Sequence, residues 1–396
     1  MPVTLMDKNT GDTQNKMKKN VLLLGLVSFL NDFSSEMIMP ILPMFIASLG
    51  GSALVVGLIG GLRDSISSIL KVFCGYWSDR TGKRKIFVFS GYLISGIFKL
   101  LLSFSGIWQH VLAFGTLERV GKGLRTAPRD AIIADSMPYH RGRGFGIHRA
   151  FDTAGAVMGT ALVFILFWFF NTGFKTIIFT AAIIASLSLI PLYFVKDGAR
   201  SPQNIALRLG IRVLPGKLKL FMLASGIFAL ANFSYMFFIL RAKEYFNGRL
   251  SVAAPILLYI LFNVFYALFS VPFGSLSDRV GRKKVLVFGY ILFSLTSFGF
   301  AFCNSLIAFA VLFALYGTVY AMIDGNQRAY VSDLAQGELK AVALGTFHTV
   351  IGLVALPASL IAGLLWQAFG YYAVFIYGSL TSALAAAFFV VAVRRP

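Results

Sequence analysis

Twelve times in 396 residues the chain stays apolar for about twenty residues or more before a charge or turn residue stops it. A run of that length, wound as an α-helix, crosses a hydrocarbon layer of about 30 Å. A helix also bonds its own backbone polar groups, which lipid cannot do. The runs cover 20–48, 53–77, 86–107, 110–135, 146–171, 175–195, 220–242, 253–274, 284–303, 306–332, 341–369 and 371–393. Three are weak by hydropathy alone. Runs 110–135 and 306–332 carry charge, and Gly352 and Pro357 interrupt 341–369. The whole chain is 57% hydrophobic, only 13% charged, and has a mean hydropathy of +0.77. A soluble domain would carry about twice that charge. The expected class is an all-α membrane protein with twelve transmembrane helices.

The formal net charge is +20. In a soluble protein that balance would suggest a nucleic-acid partner. Here position explains it. If the N-terminal side is taken as inner, 23 Lys and Arg fall in inner segments and 4 in outer loops, the latter being Lys175, Arg241, Lys243 and Arg249. That bias sets orientation in a bilayer and suits anionic head groups, so no nucleic acid is expected. Both termini belong inside. Residues 1–19 form a polar, basic tail without expected order of its own. The run after it carries Asp32 and Glu36 and no small-residue cleavage pattern, so it is a retained span. The longest connection, 196–218, is basic and contains Pro202 and Pro215. It separates one six-helix unit at 20–195 from another at 219–393, with 394–396 as a short inner tail.

The two units share a template. "GYWSDRTGKRK" (Gly75 to Lys85) returns as "GSLSDRVGRKK" (Gly274 to Lys284), 199 positions on. "LNDFS" from Leu30 answers "LANFS" from Leu230, and His148 answers His348, each 200 apart. Parallel repeats of this kind are a transporter plan with the site at the repeat interface, near the bilayer midplane. Gly82 and Gly281 permit a tight backbone path between antiparallel helices, and the cations beside them suit helix C-termini. Cys74 and Cys303 fall at opposite ends of their spans, which argues against a disulfide.

With both turns in view, the chain resembles the major facilitator superfamily. That family has a glycine, Asp-Arg, a second glycine and basic residues between its second and third spans. Here they are Gly75, Asp79, Arg80, Gly82, Lys83, Arg84 and Lys85, with Gly274, Asp278, Arg279, Gly281, Arg282, Lys283 and Lys284 as the second copy. "RVGKG" at Arg119 to Gly123 resembles the family's fourth-helix pattern, although Arg125 stands where a small residue is usual. Gly155 and Gly159 match in part its glycine-rich fifth helix, a pattern associated with antiporters, without the proline. The resemblance implies two six-helix bundles rocking about a central cavity lined by spans 1, 4, 7 and 10. It also implies that Asp79, Arg80, Arg84, Asp135, Arg141, Asp278, Arg279, Arg282 and Asp333 act as gating residues that latch the inner face.

An ionisable residue inside a span is a functional hypothesis by default. Asp32 and Glu36 lie one helical turn apart and are the expected proton-coupling pair, because a carboxylate in an apolar surround can exchange protons at useful pH. Arg63, Arg119, Lys122 and Arg125 are the expected substrate-binding cations. Glu118, Lys122, Arg125 and Arg129 are spaced as one helical stripe, and a guanidinium fork suits carboxylate or phosphate. Asn232, Tyr235 and Asn326 form the expected milder wall opposite. Arg129, Asp130, Arg149, Asp152, Arg328 and Asp333 are read as structural pairs or gate contacts, and His148 as a satisfied helix-end histidine. Lys71 and Lys99 could instead extend to the head groups.

The function expected from all this is secondary active transport of a small organic solute, anionic or amphipathic, by proton-coupled alternating access. Drug efflux is the alternative. A sensor or channel-like facilitator is the alternative of another class. No His-rich metal pattern, Cys pair, Gly-x-Ser-x-Gly elbow or phosphate-binding Gly-x-x-x-x-Gly-Lys-Ser/Thr loop is present, so no enzyme, metal or cofactor is expected. The expected partners are the substrate, protons and the lipid bilayer, with the chain a monomer. The only Asn-x-Ser/Thr match, at Asn232, lies within a span. A bacterial cytoplasmic membrane is the expected location.

Overall fold

The computed structural model describes residues 4–137, 141–197, 214–335 and 339–392. All its regular structure among these residues is helical. In chain order the helices are α1 (Thr4–Ile38), α2 (Leu42–Ser48), α3 (Ala53–Thr81), α4 (Arg84–Ser103), α5 (Trp108–Ser136), α6 (Arg141–Trp168), α7 (Phe174–Leu187) and α8 (Leu189–Tyr193). The second half gives α9 (Gly216–Ala231), α10 (Met236–Tyr245), α11 (Leu250–Val280), α12 (Arg282–Phe302), α13 (Leu306–Leu334), α14 (Leu339–Phe369) and α15 (Tyr371–Ala392). Eleven spans are long and apolar enough to cross a membrane by length and composition. The twelfth is α5, which equals them in length but carries seven charged side chains from Glu118 to Asp135. This is the twelve-span, all-α architecture expected from the sequence, with α1–α2, α7–α8 and α9–α10 each making one interrupted span.

One expectation is revised at the start. The tail does not lack structure throughout, since helix α1 begins at Thr4. A helix nucleated by a packed span extends at little cost where no proline stops it. Of the connection 196–218, residues 198–213 lie outside the described residues, as do the side chain of Arg141 and all of 393–396.

Each repeated turn passes through a glycine of positive φ. The chain leaves α3 through Gly82 at φ 68° and leaves α11 through Gly281 at φ 97°, a region that penalises any residue with a Cβ. Each half then packs its own helices, α1 on α6 and α4 on α5 in the first, α11 on α13 and α12 on α15 in the second. The halves meet along two seams, α3 against α14 and α6 against α11. The first seam is close because glycine stands in it. A Cβ on Gly57 would lie 2.2 Å from the carbonyl oxygen of Ser359. Cys74 and Cys303 are both buried free thiols.

Span 1 breaks at Pro40 and Pro43. A proline has no amide hydrogen, so the carbonyl four residues before it loses its helical partner. For Pro43 that carbonyl belongs to Met39. The Tyr235 hydroxyl, from the opposite half, donates to it at 3.2 Å. Beyond this point α2 and α10 are almost wholly buried, from Leu42 to Ile46 and from Met236 to Ala242. The outer halves of spans 1 and 7 therefore close the passage on the side away from the basic turns.

Candidate functional site

On the inner side the halves stand apart around a cavity of about 480 Å³. Its wall carries six cations, Lys71, Lys122, Arg125, Arg129, Arg149 and Arg328, and four carboxylates, Asp32, Asp130, Asp152 and Asp324. Several neutralise each other. Arg129 pairs with Asp130 at 2.9 Å and Arg328 with Asp324 at 2.6 Å. Lys122 and Lys71 make no side-chain hydrogen bond or ion pair among the described residues, so both ammonium groups are available to a ligand. A smaller cavity of about 140 Å³ in the second half is lined by Phe228, Asn232, Tyr320 and Gln327. There the Tyr320 hydroxyl donates to Asn232 Oδ1 at 3.3 Å.

Above the large cavity lies a buried charge cluster. Arg63 Nη2 reaches Glu118 Oε2 at 3.3 Å, and Arg119 Nε lies 3.2 Å from the same oxygen, paired by charge although not aligned as a hydrogen bond. One carboxylate thus serves two guanidinium groups, all of them about 5% exposed or less. Arg119 Nη2 also donates to the Met39 sulfur at 3.0 Å, beside the break in span 1. The cluster is therefore built against the kink that Tyr235 caps.

The predicted residues separate into those at the cavity and those that hold helices together. Asp32 and Lys122 line the cavity. Glu36 crosses the interface instead, accepting from the Tyr259 hydroxyl at 3.0 Å and from Asn263 Nδ2 at 3.3 Å. Arg125 touches the cavity wall but is 2% exposed. Its guanidinium donates to Ser95 Oγ and the Gly91 carbonyl and lies 4.4 Å from the centre of the Tyr92 ring. Asn326 faces its neighbours: it accepts from Ser277 Oγ at 2.7 Å and donates to the Met322 carbonyl at 2.9 Å. Lys99 does not reach the head groups. It is 1% exposed and donates to Ser34 and Ser35 hydroxyls at 3.0 and 2.9 Å. Lys71 likewise points into the cavity rather than out to lipid.

The residues of the repeated turns pair within their own halves. Arg84 bridges Asp79 and Asp135 in the first, and Arg282 bridges Asp278 and Asp333 in the second. Arg80 donates to Tyr76 at 3.2 Å, while Arg279 is exposed. The inner cross-half contact lies deeper. Arg149 of α6 donates to the Tyr266 hydroxyl at 3.1 Å, and that hydroxyl donates to Asp324 at 3.0 Å. Tyr259, Asn263 and Tyr266 are not among the residues singled out from the sequence. Their spacing of 4 and 3 marks one face of α11, a signal present in an otherwise apolar span.

The sequence profile of the Major Facilitator Superfamily matches residues 24–246 and again 221–396. The chain belongs to this superfamily. An uncharacterized MFS-type transporter of Methanocaldococcus jannaschii is 55% identical over 379 residues, covering 94% of each chain. The multidrug resistance protein MdtG of Klebsiella pneumoniae is 26% identical, covering 78% of this chain and 77% of that one. Among solved structures, the nucleoside transporter NupG superposes with a TM-score of 0.77 at 13% identity, over 95% of this chain and 100% of that one. The protein is thus a multi-pass MFS transporter and not an enzyme. The doubled turn is a sound guide to family and fold, and the matched relative at 55% identity is archaeal, which gives no support to a bacterial source.

Proposed function

We propose that this MFS transporter carries a small organic anion by alternating access, coupled to protons, across a cytoplasmic membrane with both termini inside. The observation that carries the anion is the unpaired cation set. Lys122 and Lys71 face a cavity in which Arg129 and Arg328 are each already paired with a carboxylate. A volume of about 480 Å³ is in the range of small-molecule sites. Support for alternation comes from an outer passage closed by α2 and α10 over an inner cavity that water reaches. Support for proton coupling comes from Glu36. As a carboxylate it accepts two hydrogen bonds from the other half, and a proton on it would change both. Asp32 lies one turn away and faces the cavity.

The residues of the repeated turns serve, in this reading, as gate supports that hold each half's inner end rigid. Arg149, Tyr266 and Asp324 make the contact that opens and closes.

A second reading, drug efflux, draws on the aromatic cluster of Tyr259, Phe262, Tyr316 and Tyr320, whose ring centroids lie 5.0 to 5.6 Å apart beside the smaller cavity that Tyr320 lines, and on the resemblance to MdtG. The two readings separate in a thermal-shift screen of purified protein against organic anions and lipophilic cations. Stabilisation by anions that Lys122→Ala abolishes supports the first. Stabilisation by lipophilic cations alone supports the second.

A further inference from the structure

His148 and Asp152 sit one turn apart on α6, at the cavity wall. The sequence suggests a satisfied helix-end histidine at 148, but the structure leaves it unsatisfied. Its Nδ1 lies 3.5 Å from Asp152 Oδ2, while its Nε2 and Asp152 Oδ1 are both out of solvent and without a hydrogen-bond partner among the described residues. His148 is 4% exposed. Buried polar atoms left this way are costly and call for a ligand. A proton is a ligand that a histidine beside a carboxylate takes in the physiological pH range.

The duplicated template adds an independent observation. At the shared offset of 200, His148 corresponds to His348, but Asp152 corresponds to Gly352 and Asp32 to Asn232. Both carboxylates are therefore peculiar to the first half, and both line the inner cavity from the packed helices α1 and α6. A helix in this position does not need them to pack, since the repeat packs without them. The charged groups around the pair are Asp32 from α1, Arg129 and Asp130 from α5, and Arg149 on α6 itself, with the Ser28 hydroxyl of α1 also against the Asp152 carboxylate. From the second half, Tyr266 of α11 and Asp324 of α13 complete the wall.

We propose that Asp152 and His148 form the inner proton station of this transporter, taking a proton from the inner cavity and exchanging it with Asp32. The step is a proton transfer alone. The proton leaves cavity water for Asp152 Oδ2, the imidazole Nδ1 3.5 Å away accepts a hydrogen bond from the carboxyl, and Asp32 receives the proton through the cavity water while Asp152 returns to the carboxylate. Both carboxylates open onto the same cavity, whose water can carry the proton between them. Arg149 precedes Asp152 within the same turn and holds Tyr266, so the charge on the station bears on the contact between the halves. The inference rests on the proton-coupled reading above and names its inner site.

The test uses the full chain with Cys74 and Cys303 replaced by serine and spin labels at Lys83→Cys and Val280→Cys, on the inner turns of the two halves. Inter-label distances are followed in lipid nanodiscs from about pH 5 to pH 9, the range a histidine–carboxylate site spans. A pH-dependent shift between two distance populations is expected. Asp152→Asn should move its midpoint by about one pH unit or remove it, a tenfold change in proton affinity. His148→Gln should move it as well, and Asp152→Glu should restore it. If Asp152→Asn does not fold, the His148→Gln midpoint decides. Midpoints that stay at the parent value in Asp152→Asn and His148→Gln overturn the station, and proton coupling is left standing where Asp32→Asn or Glu36→Gln abolishes the shift. A parent protein without any pH-dependent shift overturns both.

Discussion

Gly57 should control which side of the transporter is open. It stands near the outer end of α3, where α14 crosses closest. A Cβ there would lie 2.2 Å from the Ser359 carbonyl oxygen and 3.2 Å from the Phe237 ring. Ordinary contact begins at about 3.4 Å, so Gly57→Ala forces the helices apart by about 1 Å in this state. The obstacle is backbone and cannot swing aside. Inserting a methyl group into close packing costs about 1–3 kcal/mol, and each 1.4 kcal/mol is about a factor of ten. The outer-closed state should therefore lose between about fivefold and a hundredfold in population relative to an outer-open one. The assay is the distance between spin labels at Phe170→Cys and Phe369→Cys, both exposed at the outer ends of the two halves, in a protein without native cysteines. A longer outer distance is expected in Gly57→Ala. Gly274→Ala, where a Cβ meets nothing within 4 Å, should leave the distances unchanged. A folded Gly57→Ala protein with the parent distances would refute the reasoning that this seam closes the outer passage.

Other expectations follow from single bonds. Glu118→Gln removes the buried carboxylate that Arg63 and Arg119 share, and thermal unfolding should show a loss of about 3–5 kcal/mol. Lys122→Ala breaks no bond, so its unfolding midpoint should stay near the parent value while anion binding, measured by calorimetry, weakens at least tenfold. Tyr266→Phe removes the hydroxyl that joins Arg149 to Asp324. About 1 kcal/mol of net hydrogen bonding is lost, and the Lys83 to Val280 label distance should shift roughly fivefold in population toward the more open inner side.

Much of the fold is legible because lipid demands it. Run lengths give the spans, the basic turns give the sidedness of loops, and Gly82 and Gly281 stand out as turn glycines because positive φ leaves few alternatives. Span 4 is legible only through its context, since Glu118 to Asp135 spoil its hydropathy while its neighbours in the bundle neutralise those charges. The site is legible in type and less so in detail. The spacing of Lys122 and Arg125 puts both on one stripe, but about 60° of rotation between them decides that one meets the cavity and the other turns to Tyr92 and Ser95. Asn326 has the right helix and the wrong face for the same reason. Glu36 is visible in the sequence, whereas its partners Tyr259 and Asn263 are not, because a cross-half contact has no local pattern. His148 and Asp152 are visible as residues. That their outer atoms lack partners is a fact of packing, which no spacing rule supplies.

The central claim is that proton movement drives an organic anion through this cavity. Its most direct test is purified protein in liposomes with an imposed pH gradient and a membrane-permeable potential clamp, using anions selected by thermal shift. The account predicts gradient-dependent anion flux that disappears on dissipating the pH difference, falls at least tenfold in Asp32→Asn or Glu36→Gln, and in those variants leaves anion counterflow at equal pH intact. Flux that is indifferent to the gradient, or that persists unchanged when both carboxylates are neutralised together, would contradict it.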